Sequence, residues 1–151
     1  MPHDRDIWLE RIKAIERDEH LATRFAVDWL LKKAGSDPTV LQGRLRLRNL
    51  QHAAENLDFT YLIRLFAEFE TGLRSFWSTF RVTNPPVRAL IEGVAARSKR
   101  VVPQVTIMNV HSVRKYRNLL VHESDEVADV ISIDVARSYL CTFFSYLPKQ
   151  W

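Results

Sequence analysis

The feature that most restricts the fold of this chain is a long apolar stripe between residues 58 and 80. Large aliphatic and aromatic side chains recur there at steps of three and four, which is the spacing of one face of an α-helix. The stripe consists of Phe59, Leu62, Ile63, Phe66, Phe69, Leu73, Phe76, Trp77 and Phe80. This pattern predicts a helix over about residues 58 to 80 that forms the centre of the hydrophobic core.

The helix-breaking residues predict that the other elements are helices too. The four glycines and six prolines leave gaps long enough for helices of two to six turns. No apolar–polar alternation of convincing length marks a strand. The further predicted helices cover about residues 6–33, 39–56, 87–98, 103–122 and 133–147. In the first of them the apolar positions are Ile7, Leu9, Ile12, Ile15, Leu21, Phe25, Trp29 and Leu30. The sequence therefore predicts an all-α, up-and-down-type bundle of five to six helices.

Length and composition narrow the class of protein. A chain of 151 residues suits a single domain, so we expect one all-α domain with an N-terminal helical pair over residues 1–57 and a core over 58–147. The single cysteine excludes a disulfide scaffold and a Cys-based zinc cluster. No apolar run reaches 18 residues and the N-terminus is charged, so neither a membrane span nor a secretory signal is predicted. These features predict a soluble, cytoplasmic protein.

Basic residues are concentrated between residues 81 and 118, where eight arginines and lysines stand against one acid, Glu92. Sixteen of the 22 basic residues in the chain are arginines, and guanidinium groups can contact phosphate through two parallel hydrogen bonds. This pattern is compatible with a solvated basic face and with a phosphate-binding surface, and the arginine content favours the phosphate-binding surface. Charge alone does not separate RNA, DNA, a nucleotide and an acidic partner.

Glu70 lies inside the apolar stripe of the central predicted helix, four residues after Phe66 and three before Leu73. A carboxylate there must be paired, protonated or next to a cavity, because an unpaired buried charge is very costly. Arg74, one turn later, is a candidate ion-pair partner. An intrahelical ion pair and a functional carboxylate are both open at this point.

The predicted helix over residues 103–122 places polar side chains beside its apolar face. Arg117 falls among the inward residues, whereas His111, Asn118 and His122 lie about 100–140° away on a neighbouring face. Arginine is always charged and can hold a phosphate, and histidine can move a proton near neutral pH. Together, Arg117 and His122 can therefore carry out phosphodiester chemistry without a metal.

Other chemistries fit the sequence less well. No H-E-x-x-H or comparable spacing supports a metal site built from Glu70, His111, His122 and Glu123, and no cofactor-binding motif is found. Neither G-x-S-x-G nor a Gly-rich phosphate loop occurs, which argues against a serine hydrolase and a P-loop NTPase. A helix-turn-helix DNA reader is conceivable from the helices at 87–98 and 103–122, but it does not explain Arg117 in an apolar stripe.

The stretch Tyr116-Arg117-Asn118-Leu119-Leu120-Val121-His122 resembles the motif of the HEPN domain superfamily (higher eukaryotes and prokaryotes nucleotide-binding). Its nuclease members have an Arg, usually followed by Asn, His or Asp, and then a His four to six residues after the Arg, late in an all-α bundle. Arg117, Asn118 and His122 match these positions. The segment 65–74 is similar to the acid-bearing apolar helix found upstream in many such proteins. The resemblance covers about residues 58 to 147.

The resemblance implies a homodimeric, metal-independent endoribonuclease in which two protomers bring their Arg-His motifs together and the RNA 2′-hydroxyl attacks the adjacent phosphodiester. By position, His122 would be the general acid or base, Arg117 would bind the scissile phosphate, and Asn118 would orient or polarise the reacting groups. Glu70 would hold Arg117 or Arg74. The predicted RNA contacts are Arg74, Arg114, Lys115 and His111.

Many relatives are toxins or act in defence against phage, which implies an antitoxin or regulatory protein as a further partner. The variant paired with a nucleotidyltransferase antitoxin has a Tyr two residues after the His, where this chain has Ser124. Control by adenylylation of such a Tyr is therefore not expected here. Some relatives keep the fold without nuclease activity, so the alternative function is a non-catalytic module that binds nucleotide, RNA or a protein partner through the same basic face.

Overall fold

The computed structural model describes residues 1–122 and 127–151, and its regular elements are all helical. The α-helices are α1 (Arg5–Ala14), α2 (Leu21–Ser36), α3 (Leu47–Ser78), α4 (Val87–Arg97), α5 (Gln104–Val121) and α6 (Ile133–Phe144). A π-helical segment, Ile15–His20, joins α1 to α2, so the described residues form a bundle of five helical rods. Over the described ranges there is no strand, and the chain termini are linked by one isolated bridge between Asp4 and Gln150. The all-α prediction is confirmed.

The first rod changes its winding halfway along. It starts at Asp4, whose carboxylate accepts a hydrogen bond from the Asp6 N–H at 2.8 Å and so satisfies a donor that the helix leaves free. In the π-helical segment the Leu21 N–H bonds to the Glu16 carbonyl, five residues back. The wider turn rotates α2 relative to the inward face of α1. As a result α1 buries two large apolar side chains, whereas α2 buries only Ala34.

The predicted separate helix over residues 39–56 is wrong. Pro38–Val40 forms a single 3-10 turn, and the helix that begins at Leu47 continues without a break through Asn56 to Ser78. Asn and Asp favour turns when their side chains compete for backbone hydrogen bonds. Here the Asn56 amide instead donates to the His52 carbonyl one helical turn back, at 2.9 Å, which is compatible with an unbroken helix.

Contacts with the π-helical segment and with α2 hold Asp58 in the helix as well. Its Oδ1 atom accepts hydrogen bonds from His20 Nε2 and from Arg24 Nη2, each at 2.7 Å. Burial would raise the pKa of Asp58, but the hydrogen bonds from Arg24 and His20 outweigh it and hold that pKa below its ordinary value. Tertiary contacts therefore override the local turn preference at this point.

The other predicted helices are present with ends displaced by a few residues. The helix predicted over 6–33 extends over 5–36 and includes the π-helical segment. Those predicted over 87–98 and 103–122 correspond to α4 and α5, and the one predicted over 133–147 ends at Phe144. Residues 123–126, at which we expect the helix predicted over 103–122 to end and which include Glu123 and the departure at Ser124, lie outside the described residues.

The apolar stripe of α3 forms the centre of the core, as predicted. This helix contacts every other α-helix of the bundle. Phe66, Phe69 and Phe76 are fully buried, and Phe69 meets the rings of α6 edge-on. The stripe extends past the core at both ends, because Phe59 and Phe80 are 39% and 52% exposed.

Gly72 allows α1 and α6 to approach α3 closely. A Cβ at this position would lie 2.5 Å from Phe144 Cζ and 3.1 Å from Trp8 Cδ2, and both rings are buried. We expect Gly72→Ala to lower the free energy of unfolding by about 1–3 kcal/mol, because overpacking a closed core displaces its rings. Urea denaturation measures this change.

Gly35 is the matched control, since an added Cβ there meets no atom within 4 Å and its backbone is helical. We expect Gly35→Ala to raise stability by up to about 1 kcal/mol, because alanine loses less conformational freedom in a helix. A Gly72→Ala variant as stable as Gly35→Ala would show that the contact of α1 and α6 with α3 is loose.

Candidate functional site

The C-terminal half of α5 carries the residues of the predicted motif. Val110, Val113 and Tyr116 are buried against the core and fix the rotation of the helix. At about 100° per residue, the positions of His111, Arg114, Lys115, Asn118 and His122 fall within an arc of about 100°, which places them along one side of α5. We call this side, together with Arg117 at its border, the motif face.

Arg117 is half-buried at the border between the motif face and the core. Its guanidinium carbon lies 6.0 Å from the centre of the Phe66 ring, and Nη1 donates to Asn118 Oδ1 at 3.2 Å. Its Nε atom is buried without a hydrogen-bond partner. No ion pair between described residues includes Arg117 or Arg114. A guanidinium held by an aromatic ring and a neutral amide keeps donors available for an anion.

His122 is exposed at the end of α5, where the backbone becomes extended. The backbone N–H of His122 donates a hydrogen bond to the backbone carbonyl of Asn118 at 2.9 Å. Asn118 therefore contacts both other residues of the motif: its side chain accepts a hydrogen bond from Arg117, and its backbone carbonyl accepts one from the backbone of His122. The carbonyl end of a helix favours cations, so a phosphate at this place would be held by side chains and not by the helix end.

Glu70 and Arg74 form an ion pair with each other on α3. Arg74 Nη2 and Nε lie 2.6 and 2.9 Å from Glu70 Oε1. The same guanidinium donates to the Asn84 side chain and to the Pro85 carbonyl, so the pair fastens the loop that leads into α4. Of the two interpretations that the sequence leaves open, the intrahelical ion pair is the one observed. The catalytic role of Glu70 and the RNA contact by Arg74 stay predictions.

His111 faces α4 beside a groove of about 630 Å³. Its Nε2 atom is 3.6 Å from Glu92 Oε1, which is too long for a hydrogen bond, and both ring nitrogens are buried without a hydrogen-bond partner. Burial is the main cause that lowers the pKa of His111 below its ordinary 6.5, and the charge of Arg114 adds to it while Glu92 opposes it. The ring is therefore neutral at pH 7.

The lowered pKa of His111 predicts a loss of stability on acidification. The unfolded chain binds a proton at this residue more readily than the folded one, so the free energy of unfolding falls as the pH drops below about 6.5 and through the folded pKa. His111→Asn should remove this part of the pH dependence. Urea denaturation at pH 7.5 and 5.5 measures it, with His52→Asn on the exposed surface of α3 as control. Unaltered pH dependence in His111→Asn would contradict the burial of the ring.

Two further predicted residues lie on the motif face. Arg114 is half-buried with its Nε atom unpartnered, and Lys115 is exposed. Both lie between His111 and His122 along α5. The predicted site residues of α5 therefore lie along one helix over residues 111–122, and among their side chains only those of Arg117 and Asn118 are hydrogen-bonded to each other in the described residues, whereas Glu70 and Arg74 form a separate pair on α3.

A cavity of about 600 Å³ between α3, α5, α6 and the residues before α6 was not predicted. Tyr116, the residue before Arg117, contributes to its wall together with Asp58 and Tyr139. Burial, and secondarily the charge of Asp58, raises the pKa of Tyr116. The walls come from segments far apart in the chain, so no local pattern indicates this cavity.

No protein-family model, curated protein or solved structure matches this chain. In the described part of the chain, no group of three or more His, Cys, Asp or Glu side chains is placed to hold a metal ion. None of the helices described is both long and apolar enough to cross a membrane.

Proposed function

We propose that this protein is a metal-independent endoribonuclease of the HEPN type, with the motif face of α5 as its RNA-cleaving site. The observation that supports this most strongly is the arrangement of Arg117, Asn118 and His122 at the end of α5. The guanidinium is half-buried and bonded to Asn118, while the imidazole is open to solvent. A fixed cation and an accessible proton carrier, five residues apart on the same helix, are the two groups that phosphodiester cleavage without a metal requires.

In this proposal each group has one task. Arg117 binds the non-bridging oxygens of the scissile phosphate and stabilises the charge that develops there. His122 takes the proton from the 2′-hydroxyl, whose oxygen then attacks phosphorus. The 5′-oxygen leaves and receives a proton, which in a homodimer comes from the second copy of His122. The products are a 2′,3′-cyclic phosphate and a 5′-hydroxyl.

The rest of the motif face would bind the RNA backbone. Arg114 and Lys115 precede the cleaving residues along α5, and Arg88 and Arg100 border the neighbouring groove, to which the neutral ring of His111 adds only a polar contact. Cationic side chains of this kind supply the sequence-independent part of RNA affinity. A cytoplasmic homodimer, held in check by an antitoxin or regulatory protein, completes the proposal.

A cleavage assay in EDTA tests this function. Labelled single-stranded RNA is incubated with the protein, beside DNA and 2′-O-methyl RNA of the same sequence. We expect cleavage of the unmodified RNA only, with cyclic phosphate ends, because the other two substrates lack the attacking hydroxyl. Cleavage that EDTA abolishes, or equal cleavage of DNA, would overturn the mechanism.

A non-catalytic RNA-binding module is the second candidate, and one observation favours it. Within the described residues no hydrogen bond orients the His122 ring, whereas general bases are usually held by a third group. Binding of RNA to the motif face without cleavage in the same assay would support the module.

A further inference from the structure

The cavity of about 600 Å³ between α3, α5, α6 and the residues before α6 is lined by carboxylates and aromatic rings. Its acidic side chains are Asp58 and Asp129, and its rings are Phe59, Tyr116 and Tyr139. Among the described lining residues there is no lysine or arginine, although the whole chain has a net charge of +4. The size is within the usual range of small-molecule sites, about 300–1,000 Å³. The cavity therefore differs in charge from the basic motif face.

Both carboxylates of the lining keep acceptor atoms that are not in use. Asp58 is bound through Oδ1, which accepts from His20 and Arg24, so its Oδ2 atom accepts no hydrogen bond from the described residues. Asp129 is exposed and takes part in no ion pair between described residues. Arg24 compensates the charge of Asp58, whereas the charge of Asp129 is not compensated within the described chain. The lining therefore keeps a net negative charge.

Tyr116 adds a hydroxyl group without a partner to this lining. The residue is only 4% exposed, and its hydroxyl makes no hydrogen bond with the described residues. Ser112, one turn earlier on α5, donates its own proton to the Met108 carbonyl at 3.1 Å, so its oxygen presents lone pairs. A buried phenol hydroxyl normally has a hydrogen-bond partner. Its absence at Tyr116 indicates that a polar group of a ligand occupies the cavity.

An ammonium group is complementary to these acceptors. Its N–H groups only donate hydrogen bonds, and its charge is attracted by carboxylates and by the faces of aromatic rings. Among the described residues, Phe59, Tyr116 and Tyr139 do not pack on another aromatic ring. Leu62 and Ile133 complete the wall and suit the apolar part of an organic amine. A phosphate or carboxylate ligand would instead meet two like charges and no basic side chain.

We propose that this cavity binds a small organic amine in its protonated form. The ammonium group lies between Asp58, Asp129 and the Tyr116 hydroxyl, and the apolar part of the ligand packs against Phe59 and Tyr139. The proposal does not rest on the ribonuclease function, because no residue of the lining belongs to the motif face.

Isothermal titration calorimetry with a matched pair of compounds tests the charge of the ligand. Phenethylamine is a cation near neutral pH, and phenethyl alcohol is its neutral analogue with the same ring. We expect a dissociation constant of about 1 mM or lower for the amine, and an affinity at least about 10-fold weaker for the alcohol. Equal affinities for the two compounds, or no binding of the amine at concentrations up to about 10 mM, would overturn the proposal.

Single substitutions test the position of the site. Asp129→Asn removes a charge, and Tyr116→Phe removes a hydroxyl but keeps the ring, so each should weaken binding of phenethylamine about 5-fold or more. Because Asp129 is exposed, the fold should persist in its variant. Asp37→Asn and Tyr146→Phe are the matched controls, since neither residue lines the cavity, and they should leave the affinity unchanged. Unchanged affinity in both site variants, or equal losses in the controls, would overturn the site.

NMR of the same complex measures where the amine lies. We expect nuclear Overhauser effects between the protons of phenethylamine and the rings of Phe59 and Tyr139. The signals of His111 and His122, on the motif face, should keep their chemical shifts. Changes confined to the motif face would mean that the amine binds elsewhere, and the proposal would then be wrong.

Discussion

Replacement of His122 by alanine is expected to lower the rate of RNA cleavage by about 10²–10⁴-fold, the usual contribution of a positioned proton carrier. Stability should not change, since the side chain is exposed and makes no hydrogen bond within the described residues. Arg117→Ala should lower the rate by at least about 10²-fold, because it removes the donors that stabilise charge on the phosphate. Single-turnover kinetics on one labelled RNA in EDTA measure both effects.

Matched variants distinguish these effects from cleavage by a contaminating nuclease and from the effect of removing any one positive charge. His52 and Arg48 are an exposed histidine and an exposed arginine on the first half of α3, outside the basic stretch of residues 81–118. Alanine at either position should leave cleavage unchanged. Full activity in His122→Ala, or equal losses in His122→Ala and His52→Ala, would show that another residue or another protein cleaves the RNA.

The fold could be predicted from the sequence where local periodicity and burial agree. The stripe on α3 repeats at the helical period, so its core role could be predicted from the spacing, and α3 contacts all the other α-helices of the described bundle. The predicted break between the helices over 39–56 and 58–80 was wrong because distant partners, His20 and Arg24, hold Asp58 in the helix. Contacts with residues so far away in the chain cannot be predicted from the pattern of neighbouring residues.

The same distinction applies to the surfaces of α5 and α2. The angular positions on α5 are local, so the sequence predicts that Asn118 and His122 share a side of the helix, and in the structure a backbone hydrogen bond joins the two residues across the last turn. The exposure of Phe25 and Trp29 was not predicted, since both match the apolar pattern of the first helix. It depends on the π-helical segment, which rotates α2, and on the position of that helix at the edge of the bundle.

The aromatic centre of the core leads to the largest expected effect on stability. Phe69 is fully buried, and its ring centre lies 5.8 Å from those of Phe66 and Phe143 and 5.5 Å from that of Phe144. We expect Phe69→Ala to lower the free energy of unfolding by about 3–5 kcal/mol, since the cavity cannot close among rigid rings.

A typical domain has a free energy of unfolding of about 5–15 kcal/mol, so this loss is a large part of it. The variant should therefore unfold at a much lower urea concentration, while the slope of the free energy of unfolding against urea concentration stays unchanged. Phe80→Ala is the control, because Phe80 is 52% exposed and packs edge-on against Phe76 alone among the described aromatic rings. Its cost should be about 1 kcal/mol or less. A Phe69→Ala variant as stable as Phe80→Ala would mean that α6 does not pack on the centre of α3, and the bundle described here would then be incorrect.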